Sequence, residues 1–143
     1  YDAILTGGNT VIDDNPRMNA RVNFEVNQPK KILLSKKNNF DMESNFFKNV
    51  EVTIIKETNI AKVINSIYEL DHCSVLVEAG PRLVNAFLKT GLVDELIEYK
   101  SSEPLGKNGI NWFSKNTTIE NLGFKLESTC KIKSDVKNIY KKC

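Results

Sequence analysis

Residues 75–91, VLVEAGPRLVNAFLKTG, decide the fold class of this chain. The short apolar run over residues 74–78 is typical of a buried strand, and it ends in a carboxylate. Pro81 suits the first position of a helix and Gly91 suits the position after its end, which predicts a helix over residues 81–90. A strand that turns directly into a helix is the repeating unit of α/β folds with parallel strands.

The same alternation of strands and helices continues on both sides of this segment. Further strands are predicted by short apolar runs over residues 2–6, 31–34, 50–55 and 93–99. A helical turn is predicted over residues 10–14, and apolar residues at helical spacing predict a helix over residues 59–70. Two antiparallel strands are predicted over residues 122–133 and 136–140. The sequence therefore predicts an α/β fold with a mixed, mostly parallel sheet flanked by helices and an antiparallel C-terminal hairpin.

Size and composition limit the class of protein. The chain has 143 residues, enough for one domain with a real core, and its 41% hydrophobic and 27% charged residues are typical of a soluble globular protein. Twenty Lys and Arg against eighteen Asp and Glu give a net charge of +2, too balanced for a nucleic-acid-binding surface. No apolar run reaches the roughly 20 residues of a membrane span, and no signal-peptide pattern is present. We therefore expect a cytoplasmic protein whose partners include neither nucleic acid nor membrane.

Cysteine and histidine are too sparse for a metal site. Cys73, Cys130 and Cys143 are widely spaced and odd in number, so neither a disulfide framework nor a structural zinc site is expected. His72 has only Cys73 beside it, which favours a solvated residue at a helix end over a metal ligand. We expect no bound metal.

The arginines are the most informative charged residues. Only three of the twenty basic residues are Arg, and Arg offers a flat fork that binds a phosphate or carboxylate at two points, which Lys cannot do. Arg17 and Arg21 lie in residues 7–21, GGNTVIDDNPRMNAR, where two glycines after a strand permit close approach of a ligand to the backbone. Either this segment holds an anion, or its Asp residues cap a turn and its Arg side chains are solvated.

Three groups of residues follow predicted strands and should meet at the carboxyl edge of the sheet, where such folds bind ligands. They are residues 7–10, Ser35 and residues 78–81. In the last group, Gly80 allows close approach, and the start of the next helix offers N–H groups and a positive dipole end to a phosphate. The alternative is a plain strand–turn–helix junction in which Glu78 acts as a cap.

Three ordered motifs resemble one family. They are DAIL-x-G-x-x-TV-x-x-D-x-P-x-x-x-x-R over residues 2–21, VLVE-x-GP-x-L over residues 75–83 and GLVDEL over residues 91–96. In order and spacing, the chain resembles the reductase domain of the bifunctional riboflavin-biosynthesis deaminase/reductase from residue 2 to about residue 140. The resemblance implies a dihydrofolate-reductase-like fold. It also implies NADPH-dependent reduction of 5-amino-6-(5-phosphoribosylamino)uracil, in which the ribose becomes a ribityl chain.

The resemblance also implies roles for particular residues. The family positions that contact the cofactor match Thr10, Asp14, Ser35, Gly80, Pro81, Arg82, Leu83, Val84, Asn85 and Ala86. The substrate-binding positions match Met18, Arg21 and Glu78. Arg21 is suited to fork onto the ribose phosphate, and Glu78 can accept hydrogen bonds from the substrate. Asp14 is the candidate catalytic residue for proton transfer, and an orienting role at the cofactor is the alternative.

The chain departs from the family pattern in two respects. After the second strand the family has an Asp-Ser pair where this chain has Ser35-Lys36, so contact with the 2′-phosphate of NADPH would rest on Ser35 and the pair Lys36-Lys37. Family members also have a further strand and loop before DAIL, which supply substrate and cofactor contacts. We therefore expect residues 1–143 to form a single reductase domain that lacks its N-terminal strand.

The zinc deaminase motifs of the family, H-x-E and P-C-x-x-C, are absent from the chain. The resemblance implies that a deaminase domain is fused to this one in the full-length protein, that the domain forms a homodimer, and that its ligand is a small phosphorylated substrate. Two alternatives stay open, namely a nucleotide-binding or assembly module without catalysis and a dihydrofolate-type reductase.

Overall fold

The computed structural model describes residues 1–48, 50–112 and 117–143. The strands in these residues are β1 (Ala3–Gly7), β2 (Lys30–Leu34), β3 (Val52–Ile55), β4 (Val75–Val77), β5 (Glu95–Lys100), β6 (Phe124–Ile132) and β7 (Asp135–Lys142). The α-helices are α1 (Gly8–Asp14), α2 (Ile60–Glu69) and α3 (Pro81–Leu88), and two short 3₁₀ helices span Gly106–Asn108 and Glu120–Leu122. The chain divides into two compact units, Tyr1–Val84 and Asn85–Cys143. The expectation of one domain that lacks an N-terminal strand stays a prediction.

The first unit is built on a four-stranded parallel sheet in the order β3-β2-β1-β4. The central strands β1 and β2 read AILTG and KKILL, the nearly continuous apolar runs expected of parallel strands covered on both faces. Ile4 pairs with Lys31 of β2 and with Leu76 of β4, so these three side chains share one face of the sheet. Thr6 follows on the same face and is fully buried.

One face of this sheet carries a hydrophobic cluster. Its buried members are Ile4, Val11, Met18, Leu33 and Phe46, and Phe40, Phe47, Val52 and Leu76 pack against them. The cluster joins strands β1 and β2, helix α1 and two connecting segments of the chain. Burial of apolar side chains of this size stabilises each by about 1.5–3 kcal/mol relative to exposure.

Hydrogen bonds fasten the beginning of β1 to the beginning of β4. The Asp2 carboxylate accepts from the Cys73 N–H at 2.9 Å, from the Ser74 N–H at 2.8 Å and from the Ser74 hydroxyl at 3.1 Å. These bonds, led by the Ser74 N–H, hold the pKa of Asp2 below its ordinary value because they favour the charged form.

Helix α2 begins and ends as its sequence predicts. The Asn59 side chain accepts a hydrogen bond from the Lys62 N–H at 3.3 Å, which satisfies one of the free donors at the helix start. The helix buries Val63 and Ile67, two of the apolar residues whose spacing predicted it.

The second unit contains a three-stranded antiparallel sheet in the order β5-β7-β6. Strands β6 and β7 form the predicted C-terminal hairpin, and Lys133 in the turn between them has a positive φ of 56°. Strand β5 pairs with β7 along its whole length, from Glu95 opposite Lys141 to Lys100 opposite Val136. The α/β fold class is confirmed, with the detail that the antiparallel strands pair in a sheet of their own.

Candidate functional site

A cleft of about 640 Å³ opens on the first unit, a volume within the range of small-molecule sites. Its lining includes Met18, Arg21 and Glu78, the three residues that the sequence predicted to bind substrate. Two of them lie in the segment after α1, and the third follows β4. The structure thus brings together positions that are almost sixty residues apart along the chain.

The segment after α1 reaches the cleft through two residues in the left-handed backbone region. Asn15, the residue that ends α1, has φ of 43°, and Met18 has φ of 44°. The Asn15 side-chain oxygen accepts from the Asn45 N–H at 2.7 Å, which helps to hold the first of these bends. Asparagine is a common residue in this region at the end of a helix, whereas methionine is unusual there. Unusual backbone of this kind persists where the surrounding structure holds it, and such residues cluster at binding sites.

Met18 contributes to both the core and the cleft. It is only 8% exposed and belongs to the hydrophobic cluster with Ile4 and Phe46, yet it also lines the cleft. The apolar floor of the cleft therefore continues directly into the core of the first unit.

Arg21 and Glu78 present opposite charges to the same cleft. The Glu78 N–H donates to the Leu5 carbonyl at 3.0 Å, which continues the pairing of β4 with β1 and fixes the backbone below the carboxylate. Both side chains are exposed. A guanidinium and a carboxylate in one cleft can bind a ligand that has an anionic end and an end rich in N–H or O–H groups.

The predicted cofactor residues Thr10, Asp14 and Ser35 lie outside the lining of this cleft. Thr10 is half-buried in α1, and Asp14 is an exposed residue at the end of that helix. Its neighbour Asn15 lines the cleft instead. The catalytic role of Asp14 stays a prediction.

Ser35 lies against the start of α1 at the carboxyl edge of the sheet. A Cβ atom placed on Gly8 would lie 2.9 Å from the Ser35 Cβ and closer still to its hydroxyl, so only glycine fits there. The Ser35 hydroxyl accepts from the Lys37 N–H at 3.1 Å, and Lys37 Nζ donates to the Asn9 side-chain oxygen at 2.9 Å. These contacts form a polar cluster, Asn9–Ser35–Lys37, beside Gly8.

The start of α3 lies beside the end of β1, since a Cβ on Gly7 would lie 3.4 Å from the Leu83 side chain. The Gly80 carbonyl accepts from the N–H groups of Leu83 and Val84 at 3.1 and 3.2 Å, and proline at position 81 has no N–H. Among the described hydrogen bonds none uses the Arg82 N–H. The helix start therefore offers fewer donors to a phosphate than its sequence alone indicates.

The last two predicted cofactor residues, Asn85 and Ala86, belong to the second unit by the division of the chain. Asn85 Nδ2 donates to the Trp112 carbonyl. Both residues are half-buried. Their predicted contact with the cofactor stays a prediction.

Two features of the site region were not predicted from the sequence. The first is Lys31, which is only 2% exposed, so that burial lowers its pKa. Its Nζ donates to the Phe46 carbonyl at 2.6 Å and lies 5.3 Å from the centre of the Phe46 ring. Gln28 binds the backbone of Ala20, next to Arg21. Neither has a local sequence signal, because each binds a backbone group that no motif indicates, 15 residues away for Lys31 and 8 residues away for Gln28.

In the part of the chain that the structure describes, no three or more His, Cys, Asp or Glu side chains come together as a metal site would require. No helix in these same ranges combines the length and the apolar character of a membrane span.

The chain is similar to proteins of riboflavin biosynthesis. A family model described as the RibD C-terminal domain matches residues 1–138. The riboflavin biosynthesis protein RibD of Aquifex aeolicus is 29% identical, over 73% of this chain and 36% of its own length.

Solved structures show the same fold. RibD of Acinetobacter baumannii matches with a TM-score of 0.84 and 24% identity, over 98% of this chain and 46% of that one. The diaminohydroxyphosphoribosylaminopyrimidine deaminase/5-amino-6-(5-phosphoribosylamino)uracil reductase of Thermotoga maritima matches with a TM-score of 0.82 and 24% identity, over 100% of this chain and 46% of that one.

The chain belongs to the RibD C-terminal domain family, which confirms the resemblance of its three motifs. It spans less than half the length of these relatives, 36% of the Aquifex aeolicus protein and 46% of the Acinetobacter baumannii chain.

Proposed function

We propose that this member of the RibD C-terminal domain family reduces the ribose of 5-amino-6-(5-phosphoribosylamino)uracil to a ribityl chain, with NADPH as the reductant. The observation that carries the proposal is the meeting of Met18, Arg21 and Glu78 in one cleft. The printed name of the Thermotoga maritima relative, which includes this reductase activity, supports it.

The residues of the cleft suit the two ends of this substrate. The guanidinium of Arg21 can bind the ribose phosphate through two parallel hydrogen bonds. The carboxylate of Glu78 can accept from N–H groups of the pyrimidine or from sugar hydroxyls. Met18 gives the cleft an apolar surface, which would exclude water from one side of the bound molecule.

The residues at the carboxyl edge of the sheet fit a dinucleotide. Gly80 is exposed, and a Cβ placed on it would meet no atom of the described residues within 4 Å, so the backbone there is open to a phosphate. Ser35 and Lys37 supply a hydroxyl and a cation to a second phosphate, although Lys36 occupies the place where the family has serine. The bound nicotinamide supplies the hydride, and the protein supplies position and charge.

Asp14 is the proposed proton donor or orienting carboxylate. It lies at the end of α1, one residue before Asn15 in the cleft lining. Its carboxylate would assist opening of the sugar ring or receive the hydrogen bond of a cofactor hydroxyl, and the two roles differ in their effect on kcat.

We also propose that the protein prefers NADPH to NADH, forms a homodimer, lies in the cytoplasm and is fused to a deaminase domain in the full-length protein. The name of the Thermotoga maritima relative, which joins both activities, supports the last of these.

The test is oxidation of NADPH by the purified protein, followed by absorbance with and without the phosphoribosylaminouracil substrate. We expect oxidation only when that substrate is present and none with dihydrofolate. Turnover of dihydrofolate would assign a folate-type reductase instead. Binding of NADPH in calorimetry without turnover of either substrate would assign a nucleotide-binding module and overturn the proposal.

A further inference from the structure

The segment that carries Arg21 to the cleft is held by a side chain that follows it in the sequence. Gln28 Oε1 accepts from the Ala20 N–H at 2.8 Å, and Gln28 Nε2 donates to the Ala20 carbonyl at 3.3 Å. One primary amide thus binds both polar groups of Ala20, in the way that a paired residue in an antiparallel strand exchanges two hydrogen bonds.

These hydrogen bonds act on the backbone from which Arg21 projects. The Ala20 carbonyl belongs to the planar peptide group that includes the nitrogen and Cα of Arg21, so holding this carbonyl limits the direction in which the Arg21 side chain leaves the backbone. Three residues before Arg21, Met18 is buried in the hydrophobic cluster. The backbone is therefore anchored by packing at Met18 and by hydrogen bonds at Ala20, whereas the Arg21 side chain itself is exposed.

Gln28 is well placed to act through Arg21 and poorly placed to touch a ligand. Its neighbours Asn27 and Pro29 line the cleft, as Arg21 does, but Gln28 is not among the lining residues. One donor and the oxygen of its amide already bind Ala20. An arginine on an ordered backbone loses less conformational entropy when it binds an anion than one on a mobile loop.

We propose that Gln28 is the positioning residue for Arg21 and that its amide keeps the guanidinium directed into the cleft for the phosphate of the substrate. The proposal rests on the role of Arg21 in the proposed function. A purely structural role, in which Gln28 only closes the loop over residues 20–28, predicts a loss of stability without a specific loss of phosphate binding.

The test is a double-mutant cycle on the affinity for ribose 5-phosphate, measured by NMR titration. Gln28→Met keeps the length of the side chain and removes both hydrogen bonds, and Arg21→Ala removes the fork. We expect Gln28→Met to raise the Kd about tenfold, the loss implied by two hydrogen bonds of modest strength. In the Arg21→Ala background the same change should have no further effect, because the group that Gln28 positions is gone. Asn23→Ala, an exposed amide in the same loop, is the matched control and should bind as wild type does.

A second readout comes from kinetics with the phosphoribosylaminouracil substrate, where Gln28→Met should raise KM and leave kcat unchanged. Three results would overturn the inference: an unchanged Kd in Gln28→Met, an equal loss in both backgrounds, or no binding of ribose 5-phosphate to the wild-type protein. If only the proposed function were wrong, the results would differ from these. Ribose 5-phosphate would still bind in a way that depends on Arg21 and Gln28, but NADPH would not be oxidised.

Discussion

Replacement of Gly80 by alanine tests whether glycine is needed there for the stability of the fold or for binding of the cofactor. A Cβ on Gly80 would meet no atom of the described residues within 4 Å, and its φ lies outside the left-handed region. The fold therefore does not need glycine there. We expect Gly80→Ala to change the free energy of unfolding by no more than about 1 kcal/mol, because the reduced freedom of the unfolded chain offsets the poorer cap that alanine makes for α3.

The same methyl group should weaken NADPH binding. If the backbone at Gly80 approaches a cofactor phosphate, a methyl group placed in that contact costs about 1–3 kcal/mol. This corresponds to a rise in Kd of roughly five- to 150-fold. The measurements are urea unfolding for stability and calorimetry with NADPH for affinity, on the same preparation.

Gly8→Ala is the matched control, because glycine is required there by the packing of the fold. Its Cβ would lie 2.9 Å from the Ser35 Cβ and 3.2 Å from the Phe40 ring, so neighbouring atoms must move. We expect a loss of about 1–3 kcal/mol in the free energy of unfolding, offset by at most about 1 kcal/mol from better helix propensity. The reasoning would be refuted if Gly80→Ala bound NADPH as tightly as wild type, or if it were destabilised as strongly as Gly8→Ala.

Three further substitutions test the charges of the first unit. Arg21→Lys should raise KM for the phosphorylated substrate at least about fivefold, the equivalent of ~1 kcal/mol, because a point charge cannot replace a two-point fork; calorimetry should show unchanged affinity for NADPH. The pKa of Asp2 is lowered in the folded state, chiefly by the Ser74 N–H, so its contribution to stability is complete above the ordinary pKa of 3.8 and is lost as the pH falls below it. Asp2→Asn should therefore lower the Tm at pH 7 more than at pH 2.5, and an equal loss at both would contradict this linkage. Burial lowers the pKa of Lys31, so as the pH approaches 10.5 the unfolded chain holds more protons than the folded one. The free energy of unfolding therefore increases as the pH rises through this range. We therefore expect the free energy of unfolding of the wild-type protein to rise relative to that of Lys31→Met between pH 8 and pH 10.5. If urea unfolding gave a constant difference between the two proteins, the lowered pKa of Lys31 would be refuted.

The sequence was most informative where a local signal and the tertiary structure agree. Pro81 begins α3 as predicted, and the helix ends at Leu88 with Gly91 in the left-handed region just beyond it. Strand β4 spans only Val75–Val77, because the chain turns towards α3 sooner than the apolar run indicates. Helix propensity, capping and turn chemistry act within a few residues, which is why they can be read from a single sequence.

Contacts that follow no local motif explain what the sequence did not reveal. Lys31 lies in a strand that reads KKILL, where a solvated lysine would be expected, yet it is buried with its ammonium against the Phe46 carbonyl and ring. Gln28 precedes a proline, and no motif in residues 20–28 indicates which backbone group its amide binds. Their roles depend on which backbone groups lie opposite, and that is decided by tertiary structure rather than by composition.

The resemblance to a family assigned Met18, Arg21 and Glu78 to one ligand, and the structure places all three in the lining of one cleft. That this cleft binds the substrate stays a prediction. The resemblance could not separate Asp14, outside the lining, from Asn15, within it, because the helix ends between these two adjacent residues. A motif gives the order of residues, whereas the direction of a side chain depends on the backbone angle at which the element ends.

The cleft borders the hydrophobic cluster of the first unit. Phe46 is a buried member of that cluster, and its carbonyl binds the buried ammonium of Lys31. Leu76 of β4 packs against the same cluster and also lines the cleft, and Asn15 and Met18 of the segment after α1 line it too. Because Met18 closes the core on one side and lines the cleft on the other, the shape of the binding surface is fixed by the same packing that stabilises the first unit. Arg21, three residues further on, is free of the core and can change without disturbing it, which is why its orientation needs a hydrogen-bonded support of its own.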